Sequence, residues 1–258
     1  MSKLLIKPKS NSWIRHQISP ESAGWSHVGF SVYDLQEGKE IVGEGNSNEV
    51  CIVLLSGVVE FSAGKHNFDK VTGRGNVFEK IGPYALYVPK NMAWRVKSNT
   101  VSEVAVCTAP GLRAHEPRVI SPSEMQREVR GVGTNQRFIC NILPETEDAD
   151  SLLVVEVITP SGNWSSYPPH KHDSDNLPFE SKLEETYYHR INPSQGYVLQ
   201  KVYNDDKSLD ETISAEDGDV VLVPGGYHPV GVPHGYESYY LNVMAGPKRV
   251  WKFQNDPK

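Results

Sequence analysis

The sequence predicts an all-β chain made of two successive barrels, and three observations carry that expectation. Short segments rich in β-branched and aromatic residues recur along the whole chain. Helical periodicity is scarce. Two stretches of the first half recur in altered form in the second. Many short strands with frequent turns fit a β-sandwich or barrel better than a layered α/β arrangement.

The strands can be read in order. In the first half they are Ile52-Val53-Leu54-Leu55, Val58-Val59-Glu60-Phe61, Leu86-Tyr87-Val88 and Val104-Ala105-Val106-Cys107, bounded by Gly, Pro, Asn or Ser. The second half repeats the style with segments opening at Leu152, Tyr197, Val220 and Tyr239. The duplication shows in two pairs. The run from Glu49 to Gly57 resembles the strand opening at Glu185, and Gly82 to Pro89 resembles Gly218 to Pro224. One short helix is expected at Ser121, where Pro122 takes the first helical position and Glu124 completes a capping-box pattern. The domain reading is a first barrel over 1–115, a linker with that helix over 116–133, and a second barrel over 134–258.

Composition narrows the function classes. The chain has 258 residues, 38% apolar and 22% charged, with a net charge of −6, which suits a soluble globular protein and argues against nucleic-acid or acidic-membrane partners. No apolar run approaches the ~20 residues needed to span a bilayer, and the first residues lack the apolar core of a signal peptide. Cys51, Cys107 and Cys140 are odd in number, widely spaced and without a CxxC, so they read as reduced core thiols of a cytoplasmic protein.

The chemistry concentrates in His170-Lys171-His172. On a strand, alternate side chains share a face, so both imidazoles converge and Lys171 points away. Two convergent imidazoles are half of a metal site. Glu185, in Leu183-Glu184-Glu185-Thr186-Tyr187-Tyr188, and His228, in Pro224-Gly225-Gly226-Tyr227-His228, supply the other half. Three imidazoles and a carboxylate suit Zn, Mn, Fe, Co or Ni with positions open for substrate. Glu185 is preferred to Glu184 because Glu185, Tyr187 and His189 then share one face. Asp173 and Asp175 lie in a polar loop. His234, in Pro233-His234-Gly235, is the alternative third imidazole but reads as an exposed turn. The first repeat lacks an HxH before Glu49 and offers Met92-Ala93-Trp94 where the second has His228, so it reads as a metal-free structural repeat.

The pattern Gly162-x7-His170-x-His172, then Glu185, then Gly218-x5-Pro224-x-Gly226-x-His228 resembles the cupin signature, and two copies resemble a bicupin, a tandem pair of jelly-roll barrels. The longer runs from Gly162 to Asp173, Leu183 to His189, Gly225 to Val230 and Tyr239 to Gly246 resemble the 5-deoxy-glucuronate isomerases. That bicupin family belongs to bacterial myo-inositol breakdown and is related to the 5-keto-4-deoxyuronate isomerases. The spacing departs from the generic cupin pattern: twelve residues separate His172 from Glu185, and His228 comes one residue early.

The resemblance implies a metal-dependent aldose–ketose isomerase, an intramolecular oxidoreductase, converting 5-deoxy-D-glucuronate to 2-deoxy-5-keto-D-gluconate. Its partner would be a small uronate, with a homo-oligomer as the assembled form. The proton-shuttling group is left open among Tyr187, His189 and Tyr227, and a hydride shift would need none of them. Arg190, Lys201 and Lys248 are candidate partners for the substrate carboxylate. Two other readings stand beside this one: a cupin dioxygenase using Fe(II), and a non-enzymatic sugar-binding bicupin. The segment 173–182 is expected either to cover the pocket, with Phe179 as its apolar anchor, or to pack elsewhere on the protein.

Overall fold

The computed structural model describes residues 2–113 and 115–257. The chain is 49% strand and 3% helix, so the all-β expectation holds. Among the described residues the helical elements are one α-turn, Pro20–Ala23, and one 3-10 turn, Gly133–Asn135. No helix among them is long and apolar enough to cross a membrane.

The chain forms two compact units, and their boundaries differ from the simple division into halves. One unit comprises Met1–Pro8, Arg127–Asn141 and Val155–Lys258; the other comprises Lys9–Gln126 and Ile142–Val154. The N-terminal segment joins the later unit because Leu5–Ile6 pairs antiparallel with Val220–Val223. The Lys7 ammonium adds ion pairs to Glu216 at 2.7 Å and Asp219 at 2.8 Å. The divisions near 141 and 154 fall inside the strands Arg137–Leu143 and Leu153–Thr159, not in loops.

No linker helix forms between 116 and 133. Ser121 donates to the Glu124 carboxylate from both its amide and its hydroxyl, so only one half of a capping box forms: the Glu124 amide bonds the Ser121 carbonyl, not its hydroxyl. The following residues form only a turn, and the chain enters the strands Arg118–Ile120 and Gln126–Arg130 on either side. A cap satisfies donors at a helix start but does not offset the entropy of nucleation. The alternation of Gln126–Arg130 suits a strand, and the strand prevails.

In the earlier unit a six-stranded sheet runs Arg118–Ile120, Tyr84–Val88, Asn48–Ser56, Ser102–Pro110, Gly29–Leu35, Ile14–Ile18. A second sheet is built on Glu40–Gly43, Trp94–Ser98 and Val58–Ala63. Leu35, Ile52, Leu54, Phe61, Leu86 and Val96 fill the space between them. Asn48–Ser56 is buried from Glu49 to Leu55, which explains its unbroken apolar run: a central strand has no solvent face to alternate with. Cys51 lies opposite Cys107 on the next strand; both are buried free thiols, as is Cys140.

The later unit repeats this plan. Its main sheet runs Leu5–Ile6, Val220–Val223, Glu184–Asn192, Glu237–Ala245, Leu153–Thr159, Arg137–Leu143, Gln126–Arg130. The opposing sheet contains Trp164–Ser165, Val230–Gly231, Tyr197–Tyr203 and Asp210–Glu216. Tyr187, Val221, Val198, Val202 and Ile213 pack between the two. The candidate ligands lie on, or next to, strands of this unit.

Candidate metal centre

His170-Lys171 forms a two-residue strand paired with Gln254–Asn255. The alternation expected of HxH is seen. Lys171 turns outward to Asp205 at 2.7 Å and Asp173 at 3.3 Å. Burial pulls its ammonium down, but these carboxylates outweigh that and raise its pKa overall. His170 and His172 turn the other way.

Glu185 is the second residue of its strand and faces inward, 2% exposed. Its Oε2 lies 2.9 Å from His172 Nε2 and 3.1 Å from His228 Nε2. Its Oε1 accepts from the Asn242 amide on the adjacent strand. The donor atoms of His172, Glu185 and His228 all lie within 4.8 Å of one another. His170 is the outlying fourth member, its ring 4.9 Å from His228 and 6.3 Å from His172.

The three imidazoles are held alike. His170 Nδ1 is 3.3 Å from the Pro168 carbonyl, His172 Nδ1 is 3.2 Å from Leu183, and His228 Nδ1 is 2.8 Å from Gly226. A carbonyl can only accept, so each Nδ1 carries a proton; His172 Nε2 also donates, to the Glu185 carboxylate, while the buried Nε2 of His228 has no such bond. This is how metal-binding imidazoles are oriented by a partner on their other nitrogen. The Nε2 of His228 is buried and makes no hydrogen bond of good geometry. An unbonded buried lone pair beside a carboxylate suits a cation. The residues present therefore fit a divalent ion.

The turn before His228 depends on Gly226. Its φ is +88°, and a Cβ there would meet the Tyr203 carbonyl at 2.5 Å. Glycine is the residue that tolerates both.

The electrostatics are those of a coupled buried cluster. Burial opposes ionisation of Glu185, but the His228 and His172 imidazoles and the bonds from His172 and Asn242 outweigh it and hold its carboxyl at about 2. Burial, then the neighbouring His228 and His172, push His170 down to about 3, so it is neutral at ordinary pH. Burial likewise lowers His228. Burial acts against the charge on His172, but Glu185 raises it overall.

Other expected residues divide. Tyr187 lines the cavity beside Glu185, with its hydroxyl 3.0 Å from Ser166. Burial, then the Glu185 carboxylate, keeps that hydroxyl well above its ordinary range and so neutral. His189 is fully buried but does not line the cavity. It stacks against Tyr187 at 6.0 Å and bonds Gln200 at 2.9 Å, and burial lowers it to about 4. Tyr227 belongs elsewhere: next to His228, it alternates to the Lys171 side and donates to Asp205 at 2.9 Å. Glu184 is buried on the face opposite Glu185, and His234 is exposed.

The expected carboxylate partners are engaged away from the cavity. Arg190 pairs with Asp217 at 2.9 Å, Lys201 with Asp210 at 3.0 Å and Lys248 with Asp175 at 3.2 Å. The arginines that do line it are Arg130 and Arg137. Reading 116–133 as a linker concealed Arg130, whose strand alternation in Gln126–Arg130 was the available signal; Arg137 fell in the second barrel and was not singled out.

The segment 173–182 is tied down by a different residue from the one expected. Phe179 is 67% exposed, whereas Glu180 is 2% exposed and accepts from the Asp173 and Ser174 amides. Ser181 bonds Lys252 in both directions, so the segment packs on the chain near 252. None of its residues is among those lining the cavity.

Comparisons with known proteins agree with this architecture. The KduI/IolB family model matches residues 4–258. A 5-deoxy-glucuronate isomerase of Geobacillus kaustophilus is 55% identical, covering 100% of this chain and 94% of that protein. The crystal structure of an IolB-like protein from Salmonella typhimurium LT2 is 47% identical with a TM-score of 0.97, covering 99% of this chain and 97% of that one. An oxalate decarboxylase of Lactobacillus farciminis shares the fold at 12% identity, with a TM-score of 0.70 over 99% of this chain and 89% of that one. The likeness to that enzyme supports a cupin jelly-roll architecture. The chain belongs to the KduI/IolB family and is an isomerase.

Proposed function

We propose that this chain is a metal-dependent aldose–ketose isomerase converting 5-deoxy-D-glucuronate to 2-deoxy-5-keto-D-gluconate in myo-inositol breakdown. His170, His172, Glu185 and His228 are its ligands. One observation carries the metal part: three neighbouring imidazoles each have Nδ1 on a backbone carbonyl, and two of them, His172 and His228, bring Nε2 within 3.1 Å of one buried carboxylate. The substrate comes from the named relatives, which this chain matches nearly end to end.

A divalent ion in this site supplies Lewis-acid polarisation of a sugar carbonyl and charge stabilisation as the hydrogen moves between adjacent carbons. The remaining work falls to the protein. Asn242 and the imidazoles hold Glu185 ionised. Tyr187, kept neutral, presents a hydroxyl donor beside the reacting end of the cavity. His189 and Gln200 buttress the Tyr187 ring from behind and take no direct part. Tyr227 is set aside, because its hydroxyl is committed to Asp205. The apolar walls, Ile139, Val155, Val157 and Trp251, limit water around the reacting carbons.

Elemental analysis of the purified protein, paired with an isomerase assay on the uronate, tests the reading. Expected are about one metal equivalent per chain and turnover lost with chelation. Oxygen uptake stoichiometric with turnover would replace it with the dioxygenase reading. Full activity in thoroughly metal-free protein would remove the metal.

A further inference from the structure

The cavity has two chemically different ends. His170 and Glu185 stand at one. Arg130 and Arg137 stand at the other, on the neighbouring strands Gln126–Arg130 and Arg137–Leu143. The turn joining these strands is tight. Gly131 has a φ of +81°, and a Cβ there would meet the Asn135 carbonyl at 2.1 Å. That turn places the last residue of one strand and the first of the next together at the cavity.

Arg137 is only 8% exposed, and the acidic group that acts on it, Glu128, is bonded to Arg130 instead. Its Nη1 donates to two neutral oxygens of Asn135, at 3.0 and 3.1 Å. A buried guanidinium without an anion is costly unless something completes it. Arg130 is paired with Glu128 on its own strand, and that pair is partly exposed. Burial, with the nearby Arg130 charge, lowers the Arg137 pKa against the opposing pull of Tyr240 and Glu128. Tyr240, on the strand next to that of Glu185 and Tyr187, also lines the cavity, its ring 4.8 Å from that of Tyr187.

We infer that Arg137, assisted by Arg130, receives the carboxylate of the substrate and makes the enzyme select sugar acids over neutral sugars of the same length. Guanidinium matches carboxylate in shape as well as charge. The carboxylate end then fixes which end of the sugar reaches Glu185 and His170. The inference rests on the proposed isomerase reading for its substrate, but its binding part can be tested without turnover.

The variants are Arg137→Gln, Arg137→Lys and Arg130→Gln, the last at a more exposed site that is safe for folding. Turnover is measured on 5-deoxy-glucuronate and on its neutral analogue with a hydroxymethyl group in place of the carboxylate. Arg137→Gln should raise KM for the uronate by on the order of 10²-fold, the loss of one or two charge-assisted hydrogen bonds. Its kcat should change much less, and the kinetics of the neutral analogue should stay as in the wild type. Arg137→Lys should recover part of the loss, and Arg130→Gln should cost on the order of tenfold in KM. An equal loss on both substrates, or an unchanged preference for the uronate, overturns the inference. In parallel, D-glucuronate and D-glucose binding to the metal-loaded protein is followed by ligand-observed NMR. Arg137-dependent preference for glucuronate in a protein that turns over no uronate would sustain the inference and defeat the isomerase reading. Preference retained in Arg137→Gln would defeat the inference alone.

Discussion

Glu49 and Glu185 occupy the same place in the two units, the second residue of a nine-residue central strand. Both are buried, and both carboxylates are fully engaged. Their partners differ in kind. Glu185 faces two imidazoles and an amide side chain. Glu49 accepts from the Tyr87 hydroxyl at 2.7 Å and from three consecutive backbone amides, Asp150 and Ser151 at 2.7 Å and Leu152 at 2.6 Å. Asp150 continues the clamp by accepting from the Leu112 and Arg113 amides at 2.6 and 2.8 Å. Backbone amides can only donate, so a carboxylate satisfied by them has no use for a cation. Imidazoles also carry lone pairs, so a carboxylate among them does. One strand position thus serves as a clamp in one unit and as a candidate ligand in the other.

The largest expected effect breaks the ligand side of this comparison. Glu185→Gln or His228→Ala should lose bound metal and lower kcat/KM by about 10³-fold or more, the several kcal/mol a Lewis-acid ion contributes. The barrel should persist, because its stability comes mainly from apolar burial. Metal content, turnover and far-UV circular dichroism check this together. Full metal occupancy in His228→Ala, with loss in His234→Ala, would reassign the third imidazole.

Breaking the clamp side should give the opposite pattern. Glu49→Ala leaves three amides and a hydroxyl without their acceptor, a destabilisation of about 3–5 kcal/mol. Metal content in the folded protein should be unchanged. Denaturant unfolding with parallel metal analysis measures both. Metal loss in Glu49→Ala would end the reading of this unit as a metal-free structural repeat.

The contrast shows what a sequence can carry. The clustering of His172, Glu185 and His228, with His170 beside them, was legible because strand alternation and a glycine turn are local rules. Glu49's partners were not, since Asp150, Ser151 and Leu152 lie about a hundred residues away. Tyr227 sits on the Lys171 side for a local reason that was available: next to His228 on an extended segment, it points the other way. Arg130 was hidden because a charged edge strand looks like a linker until the sheet order is known, and Arg137 because nothing local marks an arginine at a strand start as lining a cavity. The all-β class was legible from composition and turns. The exchange of Met1–Pro8 was not, because a two-residue strand leaves almost no pattern.

Acid sharpens the comparison further. His170 and His189 have folded-state pKa values of about 3 and about 4, below the ordinary 6.5. Between those values and 6.5 the unfolded chain binds protons that the folded chain refuses, so stability falls as pH drops through that window. Glu185, held at about 2 against an ordinary 4.5, adds a loss as pH falls from 4.5 toward 2. His172 is raised and acts with the opposite sign, favouring the fold at low pH and losing that contribution as pH rises through its folded value. The net expectation for metal-free protein is a falling unfolding midpoint from pH 6.5 to 4. His189→Gln, which removes one of the three imidazoles with lowered pKa, His170, His189 and His228, should flatten that slope. A midpoint independent of pH in this range, in both proteins, would contradict the assignment.

The smallest expected effect concerns the segment 173–182, where Phe179 and Glu180 stand side by side with opposite burial. A lid closed by an apolar anchor would make Phe179 the sensitive residue. The structure gives the burial and the hydrogen bonds to Glu180 instead, through the Asp173 and Ser174 amides. Asp173 in turn accepts from the Gly226 amide at 3.0 Å, two residues before His228. Disturbance at Glu180 can therefore travel through Asp173 to the turn that holds an imidazole, whereas Phe179 is exposed and is not among the residues lining the cavity. Phe179→Ala should change stability by less than about 0.5 kcal/mol, the usual range for an exposed site, and leave KM and kcat within about twofold. Glu180→Ala should lower metal affinity by about tenfold, the low end of effects seen when a residue supporting a ligand is removed. Steady-state kinetics on the two variants and a metal titration of Glu180→Ala decide the matter. A raised KM in Phe179→Ala with intact metal binding would restore the lid, because closure over substrate is the one role in which an exposed phenylalanine on this segment could affect KM.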